Sequence, residues 1–491
     1  VLQYELQLGG ISQRLSQFGI IDEFMRIKRS RNDYIREDMA EFRGSTPRHL
    51  SKHFLTLERH ASKHSLNAGY SFRLPRTYPG SIAWYNAMLD KAMVLLVKIG
   101  KPDIFLTYTG SQEWPEIMEN LFPNTNWQSN PLLVCTVFYL KVQEVLDDVM
   151  NKEVFGKVAG YVYSIEFQKR GMPHLHLLII LKAGNKMDRV DRIDRHVWAR
   201  IPEVDVLGPD PTMREKVVQE MQRRLREDVK KYMLHALCLG DATAYYQQRV
   251  GQDPSARYAT CTKRFPKELS EFTRILPDGT VMYLRPEGVG IQSKDSLKDT
   301  VMVTNEWVVS YSPYFTSKYG CHVNVEVVAT THIFKYLFKY IYKGNDAALM
   351  EVHARMDNPN NDQDGNAGVT VLPGGALLPI SAAKNMRKAT EVVNRMRAHA
   401  RKMGAEGEGE VTVNYDEAIL NESYRETTAC EAAWGISGYE LTGRSYAVKL
   451  LNVHDPDEQP VVYRRGEERE AFAKVEAGKV ISPFMAYMKR M

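Results

Sequence analysis

The stretch that decides the fold is Glu166-Phe-Gln-Lys-Arg-Gly-Met-Pro-His-Leu-His-Leu-Leu-Ile-Ile-Leu181. From His174 onward it is apolar apart from two histidines, a pattern typical of a buried strand. The preceding residues 161–168 also alternate as a strand does, and the polar residues 169–171 between the two runs predict a hairpin turn. The sequence therefore predicts two antiparallel strands with the histidines on the second.

The histidine pair predicts a metal site. Side chains alternate along a strand, so His174 and His176 point to the same face, about 7 Å apart. Glu166 or Gln168 on the adjacent strand offers an oxygen ligand, and a mixed nitrogen and oxygen set suits Mg²⁺ or Mn²⁺ when a substrate phosphate completes the shell. Two buried core histidines would give the same local pattern, so this segment alone leaves both readings open.

A second segment, Lys335-Tyr-Leu-Phe-Lys-Tyr-Ile-Tyr-Lys-Gly344, predicts a helix that carries nucleophiles. Tyr336 and Tyr340 are four residues apart and lie on one helix face, and Lys339 and Lys343 repeat that spacing beside them. A positioned tyrosine oxygen attacks phosphorus to give a covalent intermediate, and lysines beside it hold phosphate and favour the phenolate. An aromatic helix face packed into a core, with its lysines reaching outward, is the alternative.

The combination of these segments resembles the HUH endonucleases of rolling-circle replication and transposition, and specifically the Rep nuclease region of Helitron transposases. Further stretches that are similar to this family are 105–117, 261–267, 314–325 and 431–439. The family usually has Cys-Asn-Pro where this chain has Gly110-Ser-Gln112, a departure that affects the expected DNA contacts rather than the cleavage chemistry.

The resemblance implies roles for individual residues. His174 and His176 would bind the divalent metal, Mg²⁺ or Mn²⁺, with Glu166 favoured over Gln168 as third ligand. Tyr336 and Tyr340 would be the nucleophiles. The residues expected to contact DNA are Lys339, Lys343, Arg170, Lys169 and Trp114.

The implied function is a metal-dependent single-strand DNA endonuclease and strand transferase of a rolling-circle transposon, acting through a 5′-phosphotyrosine intermediate. Its expected partner is single-stranded or melted DNA at the transposon ends. A catalytically silent DNA-binding relic is the alternative, and intact histidines and tyrosines favour the active enzyme. A His-x-His amidohydrolase would need further ligands at barrel strand ends and strict strand–helix alternation, which the sequence lacks.

Composition sets broader limits. The chain has 491 residues, of which 44% are hydrophobic and 25% charged, with a net charge of +5, as expected of a globular protein with a weak preference for nucleic acid. Its 5 cysteines form no CxxC pair, which favours a reducing compartment, the nucleus or alternatively the cytosol. No apolar run is long enough to span a membrane.

The expected fold class is α+β: an HUH-type nuclease core with a central antiparallel sheet flanked by helices, and mostly helical terminal regions. Strands are predicted near 103–109, 158–168, 174–182, 302–310 and 323–328, and helices over 6–31, 82–99 and 211–237. The predicted domains are a helical region 1–98, a nuclease domain 99–346 with an insertion at about 211–299, and a mainly helical region 347–491. No Gly-x-x-x-x-Gly-Lys-[Ser/Thr] loop for ATP occurs. The resemblance implies that a helicase domain follows in the full protein, or that it has been lost.

Overall fold

A computed structural model describes the chain in segments. The described residues are 13–44, 66–72, 74, 76–122, 124–167, 171–235, 263–288, 290–294, 300–328, 371–372, 375–377, 411–416, 427–448, 462–464, 488 and 490. The helices are α1 Gln13–Glu41, α2 Ile82–Ile99, α3 Pro115–Met118, α4 Pro131–Met150, α5 Val190–His196, α6 Met213–Tyr232, α7 Pro313–Tyr319 and α8 Ala429–Ile436. The strands are β1 Phe42–Gly44, β2 Leu66–Phe72, β3 Ile104–Thr109, β4 Val158–Phe167, β5 Pro173–Leu181, β6 Arg274–Ile275, β7 Val281–Met282, β8 Ile291–Lys294, β9 Thr300–Val303, β10 Val323–Val327, β11 Val371–Leu372, β12 Gly375–Leu377, β13 Val411–Asp416, β14 Thr442–Arg444 and β15 Val462–Arg464.

These elements fall into two compact units. The first comprises Val1–Ile21, Ala92–Ile341 and Thr428–Val448, and the second Asp22–Lys91, Tyr342–Thr427 and Lys449–Met491. In the second unit, strands β11, β12, β13 and β2 form a sheet in that order, and β1 pairs with β15.

The first unit is built on a five-stranded sheet of order β10-β3-β5-β4-β14, in which every neighbouring pair is antiparallel. Every residue of β5 is buried, because this apolar strand lies at the centre of the sheet with a partner on both sides. The hairpin predicted between residues 168 and 174 is confirmed, and Gly171 there has a φ of 91°, a backbone region that favours glycine. The mixed α+β class with helices flanking an antiparallel sheet is therefore confirmed.

One face of the sheet packs against α4. Aromatic rings fill this layer. The ring centroids of Tyr108 of β3 and Phe138 of α4 are 5.8 Å apart, and those of Phe167 of β4 and Trp434 of α8 are also 5.8 Å apart. The Cys135 thiol of α4 donates a hydrogen bond to the Cys430 carbonyl of α8, over 3.0 Å. The segment that carries α8 and β14 thus packs with α4 and β4, far from it in sequence.

The remaining predictions agree with the structure in part. Helices α1 and α2 cover most of the ranges predicted as 6–31 and 82–99, and α6 begins at a capping box in which Thr212 and Glu215 bond each other's backbone N–H. The strand predicted over 302–310 was wrong beyond Val303, because Asn305–Trp307 is a short 3-10 helix. After residue 346 the described elements with assigned bounds are β11–β15 and α8, so the mainly helical character predicted there depends on residues outside the described ones.

Among the described residues, no helix is both long and apolar enough to cross a membrane.

Candidate active site

The sheet face opposite α4 brings the predicted metal ligands together. In the strand register, His174 of β5 lies opposite Thr109 of β3 and Glu166 of β4. His176 lies opposite Thr107 in the same way. Residues directly opposite each other in a sheet share a face, so these five side chains project to one side. We call these five residues the histidine face.

Two threonines hold the imidazole rings. The Nδ1 atom of His174 lies 2.9 Å from the Thr109 hydroxyl, and Nδ1 of His176 lies 3.2 Å from the Thr107 hydroxyl. With Nδ1 occupied on each ring, Nε2 is the nitrogen through which each ring would bind a metal ion, and Nε2 of His176 already lies 3.0 Å from Glu166. Such a hydrogen bond to the second ring nitrogen is the usual way in which proteins orient a metal-binding histidine.

Glu166 meets the second histidine. Its Oε2 atom lies 3.0 Å from Nε2 of His176, with the Glu166 side chain 17% exposed and the His176 side chain 6%. Adjacent donors of an octahedral shell with bonds of about 2.1 Å are themselves about 3.0 Å apart. The Glu166–His176 spacing therefore matches two neighbouring ligands of Mg²⁺ or Mn²⁺, as well as a direct hydrogen bond.

The chemistry of these donors fits a small divalent ion, but the donors do not converge into a complete metal site. Imidazole nitrogen together with carboxylate oxygen suits such ions. In the portion of the chain that is described, no group of three or more His, Cys, Asp or Glu side chains converges on a single point. Only Glu166 and His176 are in contact, and His174 stands beside Glu166 in the strand register.

The environment of His174 keeps its ring neutral. Burial, followed by the neighbouring His176 ring, lowers the pKa of His174 to about 3, although the Glu166 carboxylate acts in the opposite direction. Metal ions bind the neutral imidazole, so at neutral pH the ring is already in the binding form. Phe105 stacks on His176 at 5.9 Å between centroids and covers the ring on the same face.

Several residues of this face were not predicted from the sequence. The alternation of side chains along β3 could have predicted that Thr107 and Thr109 lie on the same face as the histidines. Among the residues that the structure describes, two buried polar atoms near them have no hydrogen-bond partner, the Ser164 hydroxyl opposite His176 and Nδ1 of His322. His322 lies near His174, since its charge contributes to the lowered pKa of that histidine.

Most of the other predicted site residues lie outside the described part of the chain. These are Gln168, Lys169, Arg170, Tyr336, Lys339, Tyr340 and Lys343. Their predicted roles stay predictions.

Trp114 has a different place from the one predicted. Its side chain is 4% exposed, its Nε1 donates a 2.7 Å hydrogen bond to the Tyr319 carbonyl, and its ring stacks at 5.8 Å on Tyr108. A base cannot stack on a ring that is already covered by the core. The structure therefore corrects the prediction of a DNA contact at Trp114 and makes this residue part of the packing between β3 and α7.

A comparison with protein families finds one match. Residues 6–179 match the family model described as the Helitron helicase-like domain at the N-terminus. The matched range contains Glu166, His174 and His176 and ends within β5. The predicted relation to Helitron proteins is thereby confirmed over residues 6–179. No curated protein matches the sequence.

Proposed function

Residues 6–179 match the Helitron helicase-like N-terminal domain. We propose that this chain is a metal-dependent single-strand DNA endonuclease and strand transferase of a rolling-circle transposon. The observation that carries the proposal is the histidine face. Two imidazoles, each anchored by a threonine, and one carboxylate occupy adjacent strands of one sheet. A fold that needed only to pack would gain nothing from this buried polar arrangement.

The chain's own residues divide the work. His174, His176 and Glu166 would hold Mg²⁺ or Mn²⁺, and the bound ion would polarise a non-bridging oxygen of the scissile phosphate. The Tyr336 or Tyr340 hydroxyl gives up its proton as its oxygen attacks phosphorus, a bond between the tyrosine oxygen and phosphorus forms, and the bond from phosphorus to the 3′ oxygen breaks. That oxygen leaves as a 3′ hydroxyl after it takes up a proton, and the DNA 5′ phosphate stays on the protein.

No water is consumed, so the phosphodiester bond energy is kept in the tyrosine linkage and the step is reversible. The second tyrosine can then cut another strand while the first is still held, which is what strand transfer requires. Lys169, Arg170, Lys339 and Lys343 are proposed to bind the DNA backbone. The proposed partners are single-stranded or melted transposon ends and a helicase domain of the same protein, and the proposed compartment is the nucleus.

A silent DNA-binding relic remains a second candidate, and one observation favours it. The contact between Glu166 and His176 is complete as a hydrogen bond, and no third donor of the described residues joins it. A retained but inactive fold would have the same contact. The two candidates differ in whether a covalent product forms.

The test uses labelled single-stranded DNA with Mn²⁺ or Mg²⁺ and a denaturing gel. Wild type is compared with Tyr336→Phe, Tyr340→Phe and the double variant. The proposal predicts a covalent protein–DNA band that the double variant lacks, and the single variants rank the two tyrosines. DNA binding without any such band, across oligonucleotides that include Helitron-like ends, would support the relic.

A further inference from the structure

A cluster of parallel rings lies on the β10 side of the sheet, outside the histidine face. His235 stacks on Phe265 with ring centroids 4.1 Å apart and planes 12° from parallel. On Phe265 in turn stacks Trp307, with ring centroids 6.5 Å apart and planes 17° from parallel. All three side chains are only partly buried. We call His235, Phe265 and Trp307 the ring stack.

Cations surround the ring stack. The Lys267 ammonium lies 4.8 Å from the centre of the Phe265 ring and donates a 2.8 Å hydrogen bond to the Lys263 carbonyl. Lys263 and Arg264 are exposed. Arg264 has a φ of 57°, a conformation that is uncommon for a residue with a side chain.

The electrostatic potential at the ring stack is positive. Burial, then the charges of Lys267 and Lys263, lower the pKa of His235 to about 4, so this imidazole is a neutral ring at physiological pH. Two carboxylates lie close to these cations in the described chain: Glu306 accepts a 2.8 Å hydrogen bond from the Thr304 hydroxyl, and Glu268, which follows Lys267 in sequence, is exposed.

Backbone hydrogen bonds join the ring stack to the catalytic sheet. The His235 N–H donates to the Trp307 carbonyl over 2.8 Å, and the Val309 N–H donates to the Met233 carbonyl over 2.8 Å. At the next residue, the Ser310 carbonyl accepts a hydrogen bond from the Val325 N–H of β10 over 3.0 Å. The rings are therefore held on a rigid extension of the sheet that carries the histidine face.

We infer that the ring stack, with Lys263, Arg264 and Lys267, is a binding site for single-stranded DNA, in which a nucleobase extends the stack and the cations bind the flanking phosphates. Single strands offer unpaired bases that stack on aromatic side chains, and their backbone is held by basic residues. A duplex hides these faces between its base pairs. The inference rests on the proposed function, since it specifies where the strand would be held.

The test measures binding by fluorescence anisotropy of a labelled single-stranded oligonucleotide in EDTA, where cleavage chemistry is excluded. His235→Ala should weaken binding about five-fold or more, because one base-stacking contact is lost, and His235→Tyr should retain it. The double variant Lys263→Gln/Arg264→Gln should lower the slope of log affinity against log salt by about 1.4. Its matched control is Arg214→Gln/Arg223→Gln, which removes two exposed charges from α6 and should leave the slope unchanged.

Three results would overturn the inference: His235→Ala binding as wild type does, the two double variants behaving alike, or the same losses on duplex DNA. Circular dichroism of each variant separates a lost contact from a lost fold, and the exposed double variant removes no packing. Failure of the proposed function is separate. If wild type forms no covalent adduct but these variants still weaken binding, the ring stack holds DNA in a protein that does not cut it.

Discussion

At the scale of single residues, the threonines of β3 decide which nitrogen each histidine presents. Thr109 and Thr107 occupy Nδ1 of His174 and His176, so Nε2 is the nitrogen through which each ring would bind a metal ion, in His176 beside its contact with Glu166. The residue alternation predicted the histidine pair, and could also have predicted these threonines. It could not predict that Glu166 contacts His176 rather than His174, because the rotamer of a glutamate depends on neighbours from other strands.

Removal of one threonine hydroxyl should weaken metal binding. We expect Thr109→Val to lower Mn²⁺ affinity by about 10- to 100-fold, because the His174 ring loses the partner that orients it. Thr109→Ser keeps the hydroxyl and should bind nearly as wild type does. Isothermal titration with Mn²⁺ measures both, and equal affinity of Thr109→Val and wild type would contradict the role assigned to the hydroxyl.

The lowered pKa of His174 predicts a pH dependence of stability. In the unfolded chain the pKa is near 6.5, and in the folded protein burial lowers it to about 3. Below pH 6.5 the unfolded chain takes up a proton that folded His174 does not, so the free energy of unfolding falls as the pH drops toward 3, by about 1.4 kcal/mol per pH unit at full uptake. Above pH 6.5 this contribution is fully present.

Urea unfolding in EDTA between pH 7 and 4.5 measures this effect. The variant His174→Asn should lose stability less steeply with falling pH than wild type, because the titrating ring is absent. Identical slopes for the two proteins would show that His174 is not buried as the structure has it.

At the scale of elements, a buried carboxylate joins α4 to α7. Asp148 is fully buried, and its oxygens accept hydrogen bonds from Lys318 at 2.6 Å, Tyr319 at 2.7 Å and Lys152 at 2.8 Å. Burial alone would raise the pKa of Asp148, but these three donors outweigh it and lower the pKa. The helix that covers the sheet is thereby held to the segment that leads into β10.

Loss of this carboxylate should be costly. Asp148→Ala removes the buried acceptor of Lys318, Tyr319 and Lys152, while Glu144 still lies 2.8 Å from Lys318, and we expect the free energy of unfolding to fall by about 2–3 kcal/mol. The neighbouring Asp147→Ala is the matched control: its side chain is 44% exposed, and the loss should stay within about 1 kcal/mol. Urea denaturation at neutral pH distinguishes them, and equal small losses would mean that the Asp148 network contributes little.

At the scale of the whole molecule, the sequence predicted those elements that depend on residues close together in the chain. The strands at β3, β4 and β5 and the hairpin between β4 and β5 follow from runs of apolar residues that are continuous in sequence. The pairing of β14 with β4 was not predicted, because a strand of 3 residues carries no measurable periodicity and its partner lies far away in the chain. The same limit applies to α8, because Trp434 packs against Phe138 of α4, which lies far from it in the sequence.

The central claim is that the histidine face binds a divalent ion which activates DNA for attack by tyrosine. The most direct measurement is formation of the covalent protein–DNA adduct as Mn²⁺ is titrated into wild type, His174→Ala, His176→Ala and Glu166→Gln, all at saturating single-stranded DNA. We predict an adduct that requires metal in wild type and a large loss in both histidine variants, with folding unchanged by circular dichroism. An adduct that forms equally in EDTA, or equally in the histidine variants, would contradict the account.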